Sequence, residues 1–277
     1  MEELPLYREV LKIMNIEDVT TAVKTANELG VPVEDLSKNA LDKPTKELGE
    51  GLGSLFWLVF SPIHAARASL EPRINQYKKN LEEKLSKIPP DNLIEPPLNI
   101  VGPALEAAKY YIEDDDLREM FANLIANSMN VETQSRTHPA FVEVIKQLSP
   151  FDVKILRILR DNYYWPVAKL KFRLKDSSAA KTFPDDIFPF PEMYHYNYKD
   201  YSSGVDSLVR LGLLFIEYTT PLADDNDYDL LYQHPVFQYF ERAIKDDDTL
   251  NVKELNLIKG VWEWTGFGKK FIDCCFS

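Results

Sequence analysis

The chain has 277 residues, 45% of them apolar and 12% aromatic, enough to bury one large core or two modest ones. Its 32 Lys and Arg face 44 Asp and Glu, a formal charge of -12, so as a whole it repels nucleic acid and argues against a nucleic-acid partner. The two cysteines, Cys274 and Cys275, are adjacent and cannot staple a fold, and the longest apolar run, Leu55 to Ile63, is far short of the ~20 residues of a spanning helix.

The opening MEELPLYREV is acidic and has no apolar stretch, so no signal peptide is expected. The expected compartment is the cytoplasm, where Cys274 and Cys275 would be reduced, partly buried thiols; a redox pair is the sharper alternative. Leu6 to Leu29 has helical spacing, with Gly30 as a stop signal. After Pro44, three of the ten glycines (Gly49, Gly51 and Gly53) fall within five residues, which lowers helix propensity and permits close backbone approach. Pro62 is expected to break or kink whatever Leu55 to Phe60 forms. From Arg73 to Ile88, apolar Ile74, Tyr77, Leu81, Leu85 and Ile88 recur every three or four residues, which predicts an amphipathic helix ended by Pro89 and Pro90. An extended stretch through Glu95, Pro96 and Pro97 follows. Pro103 to Ile112 reads as a helix, and Asp114 to Asp116 as the cap of the next, Leu117 to Met129. A metal site is the alternative for that acidic run. A short helix over 139–148 opens at Pro139.

At Ser149 the character changes. Ser149 and Pro150 start a helix to Arg160. Residues 176–200, rich in Pro, Asp, Phe and Tyr, read as a long loop. Ser202 to Gly212 is predicted as a helix, Leu213 to Tyr218 as a strand, 224–229 as an acidic loop and 234–245 as a helix. Leu255 to Trp264 reads as a second strand and Phe267 to Cys275 as a last helix capped by Thr265. Helix, helix, strand, strand, helix is the order of a winged helix. The expected architecture is therefore mainly α, with a helical domain over 1–148 and an α+β winged-helix-like domain, with insertions, over 149–277.

No enzymatic signature emerges. Gly49 to Gly53 lacks the spacing of a phosphate-binding loop, and no Gly-x-Ser-x-Gly elbow is present. The four histidines, His64, His138, His195 and His234, are scattered and none pairs at i+4, so zinc-protease spacing is absent. Two acidic-x-Lys fragments, Glu82 to Lys84 and Asp152 to Lys154, fall within predicted helices, without the strand-borne acid of a metal-dependent nuclease. No cofactor is implied. Residues 151–277 carry 16 basic and 20 acidic side chains, and Ser202 to Leu211, the groove-entering helix of a winged helix, carries only Arg210 and Asp206. That helix is poorly equipped to neutralise phosphates, so the domain reads as one for protein contact.

Two groups remain as candidate sites. Glu119, Asn123 and Asn127 line up at intervals of four on one helix, where they would line a polar binding site or make interhelical hydrogen bonds. Arg118 and Glu106 would bind or form ion pairs, and Glu95 is a further binding candidate. Phe56, Trp57 and Phe60 would suit a membrane or partner contact, or the protein's own core.

The stretch Ile88 to Asn130, containing IEPPLNIVGPALEAAKYYIEDDDLREMFANLIANSMN, resembles the signature region of the abortive-infection alpha family, a bacterial domain of unknown mechanism. His138 to Leu159, Glu47 to Ile63 and Arg73 to Ile88 extend the similarity, which runs over roughly 40–275. It is clearest at Glu95, Pro96, Pro97, Gly102, Pro103, Phe121, Asn123 and Asn127. The resemblance implies a role in defence against phage, often through arrest or death of the infected cell, and no catalytic residues. An intracellular sensor or interaction module, with a protein partner or self-association, is therefore expected. A membrane-disturbing effector using 49–63 and a metal-dependent nuclease are the alternatives.

Overall fold

The computed structural model describes residues 50–66, 68–162, 164–175 and 178–276. The predicted helix Leu6 to Leu29, and with it Gly30, Pro44 and Gly49, lies outside them. Among the described residues the chain is mainly helical, with one four-stranded antiparallel sheet. It divides into two compact units, 1–147 with 273–277, and 148–272.

The described part of the first unit is built on five helices. These are α1 (Glu50–Ala66), α2 (Glu71–Ser86), α3 (Leu98–Ala108), α4 (Asp115–Ser128) and α5 (Ala140–Gln147). Helix α2 buries Ile74, Tyr77, Leu81 and Leu85, the apolar series read from the sequence. Helix α4 buries Phe121, Leu124 and Ile125, and α3 buries Ile100, Val101, Ala104 and Leu105. Asp114 caps α4, its Oδ1 accepting from the backbone N–H of Asp116 (3.1 Å) and Leu117 (3.0 Å).

Two prolines lie inside helices: Pro62 does not break its helix, and Pro103 does not open its own. Helix α1 runs through Pro62, and α3 begins at Leu98, five residues before Pro103. A proline removes one backbone hydrogen bond from a helix, and packing can outweigh that loss. The segment after α2 is held by backbone bonds to the end of α4: Ile94 N–H donates to Met129 O and Val131 N–H to Asn92 O, both at 2.9 Å. Leu93 and Asn130 form the matching antiparallel bridge.

The second unit opens with α6 (Pro150–Leu159), whose capping box pairs Ser149 Oγ with Asp152 N–H (3.1 Å) and Asp152 Oδ2 with Ser149 N–H (2.8 Å). Then come β1 (Tyr164–Leu174), β2 (Ala180–Ile187), α7 (Tyr198–Arg210), β3 (Leu214–Glu217), the single turn α8 (Asp229–Tyr232), α9 (Pro235–Asp246), β4 (Val252–Trp264) and α10 (Gly266–Cys275). The last three residues of α10 are grouped with the first unit. The sheet order is β2-β1-β4-β3.

The expected long loop over 176–200 is not what the chain forms. Residues 180–187 are β2, paired antiparallel with β1, and α7 begins at Tyr198. β1, to which the sequence reading assigns nothing, is the partner of both β2 and β4. Pro184 disguises β2, and its place explains why it is tolerated: it lies on an edge strand where the β1–β2 register shifts between Lys169 and Lys171. Pro166 lies beyond the paired part of β2, whose register with β1 begins at Ala168–Ile187, so it interrupts no ladder on that side. The core of this unit contains Ile155, Leu156, Leu170, Phe188, Phe190, Val205, Leu208, Trp262 and Phe271.

Candidate functional site

In the first unit, the polar stripe of α4 runs from half-exposed Glu119 to buried Asn123 and partly buried Asn127. Asn123 is 3% exposed and its Nδ2 donates to Cys275 O at 2.9 Å. Asn127 Nδ2 donates to Cys274 O (2.9 Å) and to Asn123 O (3.0 Å). These two amides satisfy the last carbonyls of α10, which no backbone N–H reaches within that helix. Glu119 accepts from Asn80 Nδ2 and Lys84 Nζ of α2. Burial pushes its carboxyl up, but those hydrogen bonds and the Lys84 charge outweigh burial and hold it below the usual carboxylate range. Arg118 is buried; Nη1 donates to Ile112 O at 2.5 Å and Nη2 pairs with Asp115, which also meets Arg73 at 3.3 Å. Glu106 pairs with Lys109. Glu95 is exposed and has no partner among the described residues. All of these residues except Glu95 therefore engage the protein's own groups.

Phe56 and Phe60 are fully buried, stacked at 4.5 Å between ring centres, with Tyr77 at 6.0 and 5.8 Å. Trp57 packs edge-on to Phe56 (6.0 Å), with Lys78 Nζ 5.7 Å from its ring. Phe56 and Phe60 are thus core. No described helix is long and apolar enough to cross a membrane.

The second unit carries a feature the sequence reading treats only as loop. Between β2 and α7, the chain exposes Tyr194, His195 and Tyr196 in succession. Tyr194 and Tyr196 stack at 5.5 Å, 6° from parallel, and His195 stacks on Tyr239 of α9 at 3.9 Å, also within 6°. Tyr196 is 73% exposed and Tyr239 46%. Asn197 fixes this turn: its Oδ1 accepts from Tyr194 N–H (2.6 Å) and its Nδ2 donates to Glu192 O (3.0 Å). Beside the turn lies a groove of about 400 Å³, floored by Phe151 of α6 and Tyr201 of α7. Glu192 at its rim pairs with Lys154 Nζ and sits 3.5 Å from Tyr201 OH. The Lys154 ammonium holds the Glu192 carboxyl below its usual range, and Glu192 in turn raises Lys154. The only sequence signal for this surface is aromatic density: four of residues 194–201 are tyrosines and one is histidine.

On β2 itself, Asp186 is 4% exposed and accepts from Lys169 Nζ (2.8 Å) and Tyr218 OH. Burial, then the Asp186 charge, raises the Tyr218 phenol far above its usual range. This cluster ties β1, β2 and the end of β3 together. His234 is the N-cap of α9: Nδ1 accepts from Val236 N–H (3.3 Å), and Nε2 lies 3.2 Å from Phe190 O. His138 accepts likewise from Ala140 N–H (3.1 Å), and the His64 side chain lies outside the described residues. Both acidic-x-Lys fragments sit on helices, with Lys84 paired to Glu119 and Lys154 to Glu192. Among the described residues, no three His, Cys, Asp or Glu side chains converge as metal ligands would.

No curated protein and no solved structure matches the chain. A family model described as abortive infection alpha matches residues 69–275, well over half of the sequence and including α2 to α10. The chain belongs to the abortive infection alpha family.

Proposed function

We propose that this protein acts inside the bacterial cell in defence against phage, as an interaction module whose second unit binds a protein partner. The family description supports the defence role. The single observation that carries the binding reading is the exposed, stacked aromatic surface of Tyr194, His195, Tyr196 and Tyr239. Exposed tyrosines held by their neighbours are the usual anchors of protein interfaces, because they bury much area at little cost in rotamer entropy.

A winged-helix plan for this unit is part of the proposal. The strand order β1-β4-β3, with α6 ahead of β1 and α7 running directly into β3, supports it. β2 and the segment from the end of β3 to β4 are then insertions. The exposed face of α7 carries Lys199 and Arg210 against Asp200 and Asp206, a net charge of zero. A helix so balanced gains little from phosphates, which favours protein over DNA.

The test is phage plating on a host expressing wild type or Tyr196→Ser/Tyr239→Ser at matched soluble levels. Both positions are exposed, so folding is expected to survive, as a matched thermal midpoint would confirm. Loss of protection is expected in the double variant. Full protection by a folded, well-expressed double variant contradicts the reading.

A further inference from the structure

We propose that the groove beside this aromatic surface receives an arginine side chain from a basic segment of the protein partner. The inference rests on the interaction reading above and names the chemistry of the partner.

Aromatic faces and carboxylates together make a site for a cation, because the ring quadrupole is negative at its face and the carboxylate supplies full charge. Phe151 and Tyr201 meet edge to face at 5.0 Å and form the floor, while Tyr194 and Tyr196 form a stacked wall. Two carboxylates, Glu192 and Asp200, face the same space against one cation, Lys154, so the groove carries a net negative charge. Asp200 has no side-chain partner among the described residues and is exposed. Lys154 already behaves as such a cation, its Nζ on Glu192 and 5.8 Å from the Tyr201 ring. The volume of about 400 Å³ holds one long side chain rather than a folded element. A guanidinium suits it better than an ammonium, since it is planar, stacks on tyrosine and forks onto a carboxylate. The incoming arginine stacks on Tyr196, pairs with Asp200 and competes with Lys154 for Glu192.

That competition gives an effect of unusual sign. An acetylated, amidated Gly-Gly-Arg-Gly-Gly peptide is titrated at low salt into the full-length protein, with binding followed by the backbone amide shifts of 190–201. The same peptide with citrulline, the neutral isostere of arginine, is the control. The arginine peptide is expected to bind at least about fivefold tighter than the citrulline peptide. Tyr196→Ala changes no charge and is expected to weaken arginine binding about fivefold. Lys154→Met frees Glu192 and is expected to tighten it by about threefold, while Lys253→Met, which removes the same charge from β4, leaves it unchanged. Equal binding of both peptides overturns the proposal, as does equal affinity in wild type, Tyr196→Ala and Lys154→Met. If those affinities are equal while Tyr196→Ser/Tyr239→Ser still abolishes phage protection, the partner surface stands and its arginine chemistry falls. If the peptide effects appear but protection survives the double variant, the interaction reading falls instead.

Discussion

Asn123 is one of the few buried polar side chains described in the first unit. It is buried, and Cys275 O has its amide as partner at 2.9 Å. Removing the donor leaves a buried carbonyl unsatisfied, so Asn123→Ala is expected to cost about 1–3 kcal/mol in denaturant unfolding. A loss within experimental error would show that water replaces the amide freely. His234 makes a pH-dependent contribution. Burial lowers its pKa from about 6.5, partly opposed by the Phe190 carbonyl, so the fold holds the neutral ring, whose Nδ1 accepts from Val236. A base whose folded pKa is depressed binds fewer protons folded than unfolded. The stability it contributes is therefore present above pH 6.5 and lost as pH falls below it. His234→Asn keeps a capping acceptor without the titration. Between pH 7.5 and 5 its thermal midpoint is expected to fall less than that of wild type; parallel midpoints would contradict the assignment.

Among the elements, the junction of α7, β3 and α10 is tightly built. α7 ends in a Schellman motif: Gly212 lies at φ +73°, with Gly212 N–H on Val209 O (2.9 Å) and Leu213 N–H on Leu208 O (3.0 Å). Thr265 then caps α10, its Oγ1 donating to Gly212 O (2.6 Å) and accepting from Gly268 N–H (2.8 Å). A Cβ at Gly268 would stand 2.0 Å from Leu213 O, a backbone atom that no rotamer change can move. Gly268→Ala is expected to destabilise by roughly 2–3 kcal/mol, readable as a lower denaturant midpoint. Gly266→Ala, where a Cβ meets nothing within 4 Å, is the control expected to be near neutral.

These elements also show where sequence reasoning works. α2, α4 and α6 were legible because period, caps and prolines agree. β1 carries a period-two signal, with Ala168, Leu170 and Phe172 buried and Lys169, Lys171 and Arg173 between them, but Pro166 obscures its start. β2 was not legible, because 180–184 is largely exposed and includes Pro184.

At the scale of the whole molecule, the polar stripe on α4 was legible as a pattern and its use was not. The 3.6 period places Glu119, Asn123 and Asn127 together, but only the fold reveals that Asn123 and Asn127 meet residues about 150 positions away. The aromatic surface was missed for the opposite reason. His195 and Tyr239 are 44 residues apart and become neighbours only when α9 packs beside the turn. Under the proposed function, phage defence rests on the exposed aromatic surface of the second unit, while Asn123 and Asn127 hold the chain's last helical residues and Glu119 ties α4 to α2.

Site-specific photo-crosslinking in infected cells tests that claim most directly. A benzophenone-bearing residue replaces Tyr196 in one strain and Tyr110, an exposed tyrosine of the first unit, in another. The prediction is a discrete protein adduct from position 196 that is absent from position 110 and lost on adding Tyr239→Ser. Identical adducts from both positions, or none from 196 in cells that remain protected, would contradict it.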